Sequence, residues 1–176
     1  MYSRRYVYMI QLDLPIPNAS VVDYYMNLHK TVNMKEDSGV DLMVPYDIVT
    51  NYHNLEALIN NPASASNNIT EINMFVKSCM IDSLTNKMTG YYMYPRSSIY
   101  KYGLSQANSV GIIDMGYRGH LKGMVYNHLF KSVKIDGGSR LFQICAPDLS
   151  PLNVECVSSL PLIGDRGEKG FGSSGL

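Results

Sequence analysis

The sequence predicts an all-β domain, a barrel or a sandwich, on three observations. Beyond residue 36 the helical period vanishes. Short apolar or alternating runs replace it at Ile72 to Ile81, Gly90 to Tyr94, Val110 to Asp114, Leu121 to Asn127, Leu141 to Cys145 and Val154 to Val157. Glycine, proline, asparagine and aspartate stand between the runs, where tight turns need them.

The elements follow in order. Tyr6 to Leu12 has the β-branched and aromatic makeup of a strand, and Pro15-Ile16-Pro17 ends it. Ser20-Val21-Val22-Asp23 resembles a capping box, and Val21, Tyr24, Tyr25 and Leu28 share one face of a short helix near the N-terminus. The stretch from Asn60 to Asn68 is small and polar, a surface loop or insertion. The end of the chain carries glycine at 164, 167, 170, 172 and 175, so it is expected to be loose by itself. An Arg and a Phe inside that tail supply a fork of donors suited to phosphate and a flat face suited to a base. The expected organisation is one domain, 1–163, with a flexible arm, 164–176.

Composition limits the partners. A chain of 176 residues with 45% apolar content builds one real core. Fifteen basic and fifteen acidic residues cancel, so no overall field draws the chain onto nucleic acid or membrane, and any phosphate must be bound locally. Cys79, Cys145 and Cys156 are odd in number and form no CxxC pair, which argues against a disulfide framework and a zinc site and for a reducing, intracellular compartment. The first apolar run is broken by Gln11 and Asp13 and reads as a strand, not a signal peptide. His29, His53, His120 and His128 have no metal-ligand spacing.

Five segments carry polar groups in suggestive order. Ser38-Gly39-Val40-Asp41-Leu42 puts a carboxylate at the start of a strand. Pro95-Arg96-Ser97-Ser98 ends a tyrosine-rich strand and aims a guanidinium and two hydroxyls at one point. Asn108 to Gly119 runs an apolar strand into Asp114, and glycines at 116 and 119 allow Asp114 and Tyr117 to face one space from a hairpin. Gly138 to Gln143 enters another strand with Gln143 opposite in direction to Phe142. Arg166 to Gly175 is the glycine-rich tail. Taken singly, each has an ordinary reading as a turn, a polar loop, a solvated strand face or a loose end.

As an ordered set the five resemble the five motifs of the homotrimeric dUTPases, over roughly residues 37 to 176. The resemblance implies a jelly-roll-like β-barrel, with residues 1–36 as an N-terminal extension and about 47–73 as an insertion. It implies hydrolysis of dUTP to dUMP and pyrophosphate, which keeps uracil out of DNA, with Mg2+ as cofactor. By the same resemblance, Asp114 is the general base that activates water, and Asp41 touches the metal through water. Arg96, Ser97 and Ser98 are phosphate binders lent by a neighbouring subunit. Asn108 with the backbone at Ile112 and Ile113 reads uracil, and Tyr117 lies under the deoxyribose, where its ring rejects a 2′-hydroxyl. Lys122 and Gln143 fall at further substrate-contacting positions. Phe171 stacks on uracil, Arg166 meets the phosphates, and Gly172, Ser173 and Ser174 wrap the γ-phosphate. Each site of the homotrimer is then built from several chains, in cytoplasm or nucleus, a virus-infected host cell included.

Two departures and two rivals remain. The fourth motif has Ser139 where the family usually has Asp, and the tail has Glu168-Lys169 where a more glycine-rich pair is common. A dCTP deaminase shares the fold and a segment much like Asp114 to His120, but the position of its acid/base glutamate is Met124 here and that of its arginine is Lys101. A non-catalytic, dUTPase-like binding protein leaves Asp114, Tyr117, Arg166 and Phe171 without a reason to occur together.

Overall fold

The computed structural model of the chain describes residues 6–31, 36–52, 59–60 and 68–161. Strand β1 (Tyr6–Leu12) alternates buried and half-buried side chains over its first residues, the period-two pattern of a strand with one face on a core. Helix α1 (Ala19–Met26) follows the prolines. Its cap is Asn18, whose side chain accepts the Val21 N–H, and not Ser20 as the capping-box pattern suggests. Ser20 sits inside the first turn and bonds the Asn18 side chain instead. The apolar face is as expected, with Val21, Tyr25 and Leu28 buried. A second short turn of helix, α2 (Leu28–Thr31), extends it.

The remaining elements are strands β2 (Gly39–Met43), β3 (Ile48–Val49), β4 (Ile69–Asn73), β5 (Val76–Asp82), β6 (Lys87–Thr89), β7 (Tyr91–Pro95), β8 (Leu104–Gln106), β9 (Gly111–Ile113), β10 (Lys122–Asn127), β11 (Lys134–Ile135), β12 (Arg140–Cys145) and β13 (Leu152–Cys156), with a 3-10 turn at Ile99–Tyr102. The single run expected over Ile72 to Ile81 is two strands, because Phe75 between them takes φ 51°. A bulky residue rarely enters that left-handed region, and the ladder breaks there. Strands β3 and β4 flank the segment read as an insertion; most of what lies between them falls outside the described residues.

Among the described residues four sheets are ordered β13-β1-β5-β6, β4-β10-β8, β11-β3 and β2-β12-β7-β9. Strand β1 pairs parallel with β13 and antiparallel with β5, which ties the start of the chain to the last described strand. Residues of all four sheets and of the helices meet in one core, among them Tyr8, Ile10, Tyr25, Leu42, Ile72, Met93, Val125, Ile135 and Phe142. Among the described residues the result is a mostly β, jelly-roll-like fold whose helix near the N-terminus is short, α1 followed by α2.

Candidate active site

Two groups of the expected residues come together, at opposite ends of the sheet β2-β12-β7-β9. The first lies where β2, β12 and the end of β7 meet. In the register Asp41 stands beside Gln143, and Gln143 beside Tyr94. Period two then puts Asp41 and Gln143 on the same face, away from the buried Leu42, Phe142 and Ile144. A cleft of about 400 Å³ opens there, walled by Tyr24, Gly39, Asp41, Arg96, Ser97, Arg140 and Gln143.

Charge organises this cleft. Arg96 Nε lies 2.7 Å from one Asp41 oxygen and Arg140 Nη1 lies 3.3 Å from the other. Burial lifts the Asp41 carboxyl above its ordinary value, while the two guanidiniums pull it back down. The Tyr24 hydroxyl, brought by α1, donates to the Asp41 carbonyl at 3.0 Å. Gln143 donates to the Pro95 carbonyl at 3.5 Å, and the Arg96 backbone N–H donates to the Leu141 carbonyl at 2.8 Å. Ser97 is exposed at the cleft, and Ser98 starts the 3-10 turn without a side-chain cap bond. Three of these residues come from segments far apart in the chain, and only strand pairing unites them.

Arg140 and Tyr24 were not expected there. Arg140 lies inside the fourth segment but starts β12 across an irregular register, which turns it toward Asp41. Tyr24 reads from the sequence only as part of an apolar helix face. Ser139, the departure in that segment, turns a corner: its carbonyl accepts the Val44 N–H at 2.8 Å and its hydroxyl lies 3.3 Å from that of Tyr102.

The second group is the turn after β9. Asp114 is exposed, and its carbonyl accepts the Tyr117 N–H at 3.0 Å. Strand β9 pairs with β7, and β10 with β4 and β8, so the turn joins two sheets and is not the loop of a hairpin. The reason is length: residues 114–121 cross from one layer to the next. Arg118 pins the turn from within, Nη1 donating to the carbonyls of Met115 at 2.9 Å and Tyr117 at 2.7 Å, and Nε reaching the Pro161 carbonyl at 3.1 Å. The Tyr117 ring packs on the core, and its hydroxyl donates to the His120 carbonyl at 2.8 Å. Gly119 is required beneath it, since a Cβ there would sit 2.5 Å from the Tyr117 hydroxyl oxygen and 2.7 Å from Cζ.

The other expected contacts spread around this turn. Ile112 is 73% exposed, and Ile113 packs on the core. Asn108 is exposed and accepts from the Gln106 side chain at 3.0 Å. Lys122 is ion-paired with Glu71 at 2.9 Å. Met124 lies on β10 and Lys101 in the 3-10 turn. Arg166, Phe171, Gly172, Ser173 and Ser174 lie outside the described residues.

The two groups do not meet within one chain. Tyr91 pairs with Ile113, so Asp114 lies near Gly90, where a Cβ would come 3.1 Å from the Ile113 carbonyl. From Gly90 to Arg96 along the strand is roughly 20 Å. Among the described residues no cluster of three or more His, Cys, Asp or Glu side chains could hold a metal ion, and both Asp41 oxygens face arginines. An oxygen-seeking cation that keeps its waters fits such a site only if a ligand supplies most of its oxygens.

Comparison with known proteins covers the later four of the five segments and leaves Ser38 to Leu42 outside the family match. The dUTPase family model matches residues 72–175. The deoxyuridine 5'-triphosphate nucleotidohydrolase of Clostridioides difficile is 35% identical over 90 residues, 51% of this chain and 62% of that protein, so the chain spans under two thirds of that relative's length. The enzyme of the same name from Escherichia phage T5 is 38% identical over 104 residues, 56% of this chain and 70% of that protein. A solved point mutant of the dUTPase of Staphylococcus bacteriophage 80alpha with dUpNHpp aligns over 97% of this chain and 99% of its own, at 18% identity and TM-score 0.52, a likeness of fold.

Proposed function

That the chain belongs to the dUTPase family is the premise from which we propose that it hydrolyses dUTP to dUMP and pyrophosphate in a homotrimer with shared sites. One observation carries the shared site: roughly 20 Å of strand separates the Arg96 cleft from Asp114. A base at the α-phosphorus and a clamp on the same phosphate chain must be far closer than that. A second chain therefore supplies the clamp.

Asp114, exposed at the tip of its turn, accepts a proton from a water held in line with the α-phosphorus. Positioning of that water is the larger part of phosphoryl-transfer catalysis. In the cleft, Arg96 and Arg140 exchange the Asp41 carboxylate for phosphate oxygens, so their charge is preoriented before substrate arrives. Ser97, Ser98 and Gln143 donate to the same oxygens. Asn108 and the backbone at Ile112 and Ile113 recognise uracil, and Tyr117 supports the sugar. The arm with Arg166 and Phe171 closes over the nucleotide, and Gly172, Ser173 and Ser174 wrap its last phosphate. Asp41 would be the residue to hold Mg2+, through water, and the ion would supply charge neutralisation when bound with the triphosphate. Lys122 leaves Glu71 for substrate in this reading.

Subunit complementation tests the proposal. At dUTP well below KM, Asp114→Asn and Arg96→Ala chains are each expected to be nearly inactive with magnesium. Co-assembled trimers of the two are expected to recover pyrophosphate release without ammonia. Two inactive variants that stay inactive after verified co-assembly overturn the shared site, and ammonia release from dCTP overturns the reaction.

A further inference from the structure

Tyr117 is held by a residue outside the motif that carries it. We propose that His120 is a positioning residue for the Tyr117 ring, setting the discrimination between dUTP and UTP, an inference that rests on the dUTPase reading above. The link runs through the backbone: the Tyr117 hydroxyl donates to the His120 carbonyl at 2.8 Å. The imidazole of the same residue anchors that carbonyl from one side, and the Leu121 N–H of the same peptide unit anchors it from the other by donating to the Val76 carbonyl at 2.7 Å.

The imidazole is gripped on both nitrogens. Nε2 lies 2.9 Å from Asp13 Oδ2, at the end of β1, and Nδ1 lies 3.3 Å from Asn73 Nδ2, at the end of β4. The Asn73 amide cannot turn over freely, because its oxygen already accepts the Phe75 N–H at 2.8 Å. Its NH2 therefore faces Nδ1 and donates, leaving Nε2–H to donate to Asp13. Asp13 is fixed in turn by Lys77 Nζ at 3.1 Å and by its own N–H on the Phe75 carbonyl at 2.9 Å. The Phe75 ring stands 5.3 Å from the imidazole, centroid to centroid.

Phe75 itself holds φ 51°, a conformation unfavourable for a bulky side chain, and it is that turn which places its N–H and carbonyl on Asn73 and Asp13. Two further backbone bonds, Leu121 N–H to Val76 at 2.7 Å and Met74 N–H to Leu121 at 3.1 Å, lash the next residue to the same corner. The ring of Tyr117 thus has Gly119 beneath it and a clamped acceptor at its tip. A sugar resting on the ring meets it at one depth, and a 2′-hydroxyl is rejected by that depth. A sliding ring would admit it.

The test compares kcat/KM for dUTP and UTP in the assembled full-length protein. His120→Leu is expected to keep a cooperative melt and lose about tenfold in dUTP/UTP discrimination, since misplacing a substrate-facing group by 1 Å has effects of this order or larger. Most of the change is expected in KM for UTP. His120→Gln, which retains a donor toward Asp13, is expected to stay within about threefold of the parent. Combined with Tyr117→Phe, the His120→Leu effect should be far from additive, because both variants break one link. An active parent whose discrimination is unchanged in His120→Leu overturns the inference. A His120→Leu chain that fails to fold is replaced by Asp13→Asn, expected to shift discrimination the same way by less; no shift overturns it equally. A parent that does not cleave dUTP defeats the functional reading instead. In that event, amide exchange at Tyr117, whose N–H is bonded to Asp114, decides the inference: about tenfold faster exchange in His120→Leu is expected, and unchanged exchange overturns it.

Discussion

The Arg96 cleft and the Asp114 turn are built on different physical terms. In the cleft Asp41 on β2 is flanked by Arg96, just past the end of β7, and Arg140 on β12, which leaves an excess of one positive charge, and their places are set by pairing across the sheet. In the turn the backbone is fixed by bonds within a few residues, Tyr117 to Asp114 and Arg118 to Met115 and Tyr117, with anchors added at Pro161 and His120. Charge is thus mounted on the rigid layer, and the carboxylate proposed as base at an exposed tip. Such a division suits the proposed site between two surfaces, in which the clamp keeps its shape and the base stays reachable.

Variants can break that division, the largest effect coming from the tip. Asp114→Asn is expected to lower kcat by about 10³-fold, within the usual range for losing a general base, with dUTP affinity by calorimetry unchanged. Turnover within about tenfold of the parent would remove Asp114 from the chemistry and collapse the contrast. Arg96→Ala acts on the other side and should weaken dUTP binding about 30-fold, roughly 2 kcal/mol, at the low end for truncating one partner of a bonded charge pair. It should also push the Asp41 carboxyl further up, since the carboxylate loses its nearer guanidinium at 2.7 Å, a shift that carbonyl NMR titration reads.

A pair of glycine variants sharpens the comparison. At Gly119 an added Cβ meets the Tyr117 ring, which is rigid and packed on the core; at Gly39 it meets Gln143 Oε1 at 2.5 Å, the end of a flexible side chain. Gly119→Ala is expected to cost about 1–3 kcal/mol in stability and to reduce kcat/KM, whereas Gly39→Ala should cost less than about 1 kcal/mol. Equal losses by thermal melting would mean that the cleft is no more forgiving than the turn.

The smallest effect is one of pH. Hydrogen bonds from His120 and then Lys77 hold the Asp13 carboxyl below its ordinary value. A carboxyl lower in the fold than in the unfolded chain adds stability that is complete above about pH 4 and is lost as pH falls through the folded value. Asp13→Asn should flatten that acid-side decline in melting temperature. The difference should be slight, because the Asp13 side chain is 49% exposed and solvent screens it. A steeper decline in the variant would reverse the assignment.

The turn was the legible half. Asp114, Tyr117 and Gly119 lie within a few residues, so sequence order alone puts them together, and the aromatic and the glycine turned out to be stacked on one another. The cleft was legible only as separate segments. Nothing near Asp41 in the chain announces Arg140, and an apolar helix face does not announce that the Tyr24 hydroxyl will reach the Asp41 carbonyl. His120 stood out in the sequence only as a histidine without metal-ligand spacing, for the same reason, since Asp13 and Asn73 are remote in sequence. The hairpin expected around Asp114 failed because alternation predicts a strand but not its partner.

By itself the sequence determined the class of the fold, the main strands, the apolar helix face and the order of the motifs, because period and turn chemistry are local properties of the chain. Tertiary structure alone decided that Asp41 lies between two arginines, that β9 and β10 belong to different sheets, and that Phe75 breaks a run into two strands. Those outcomes depend on which distant segments pair and at what register, and a choice among pairings is made by the packing of the whole core.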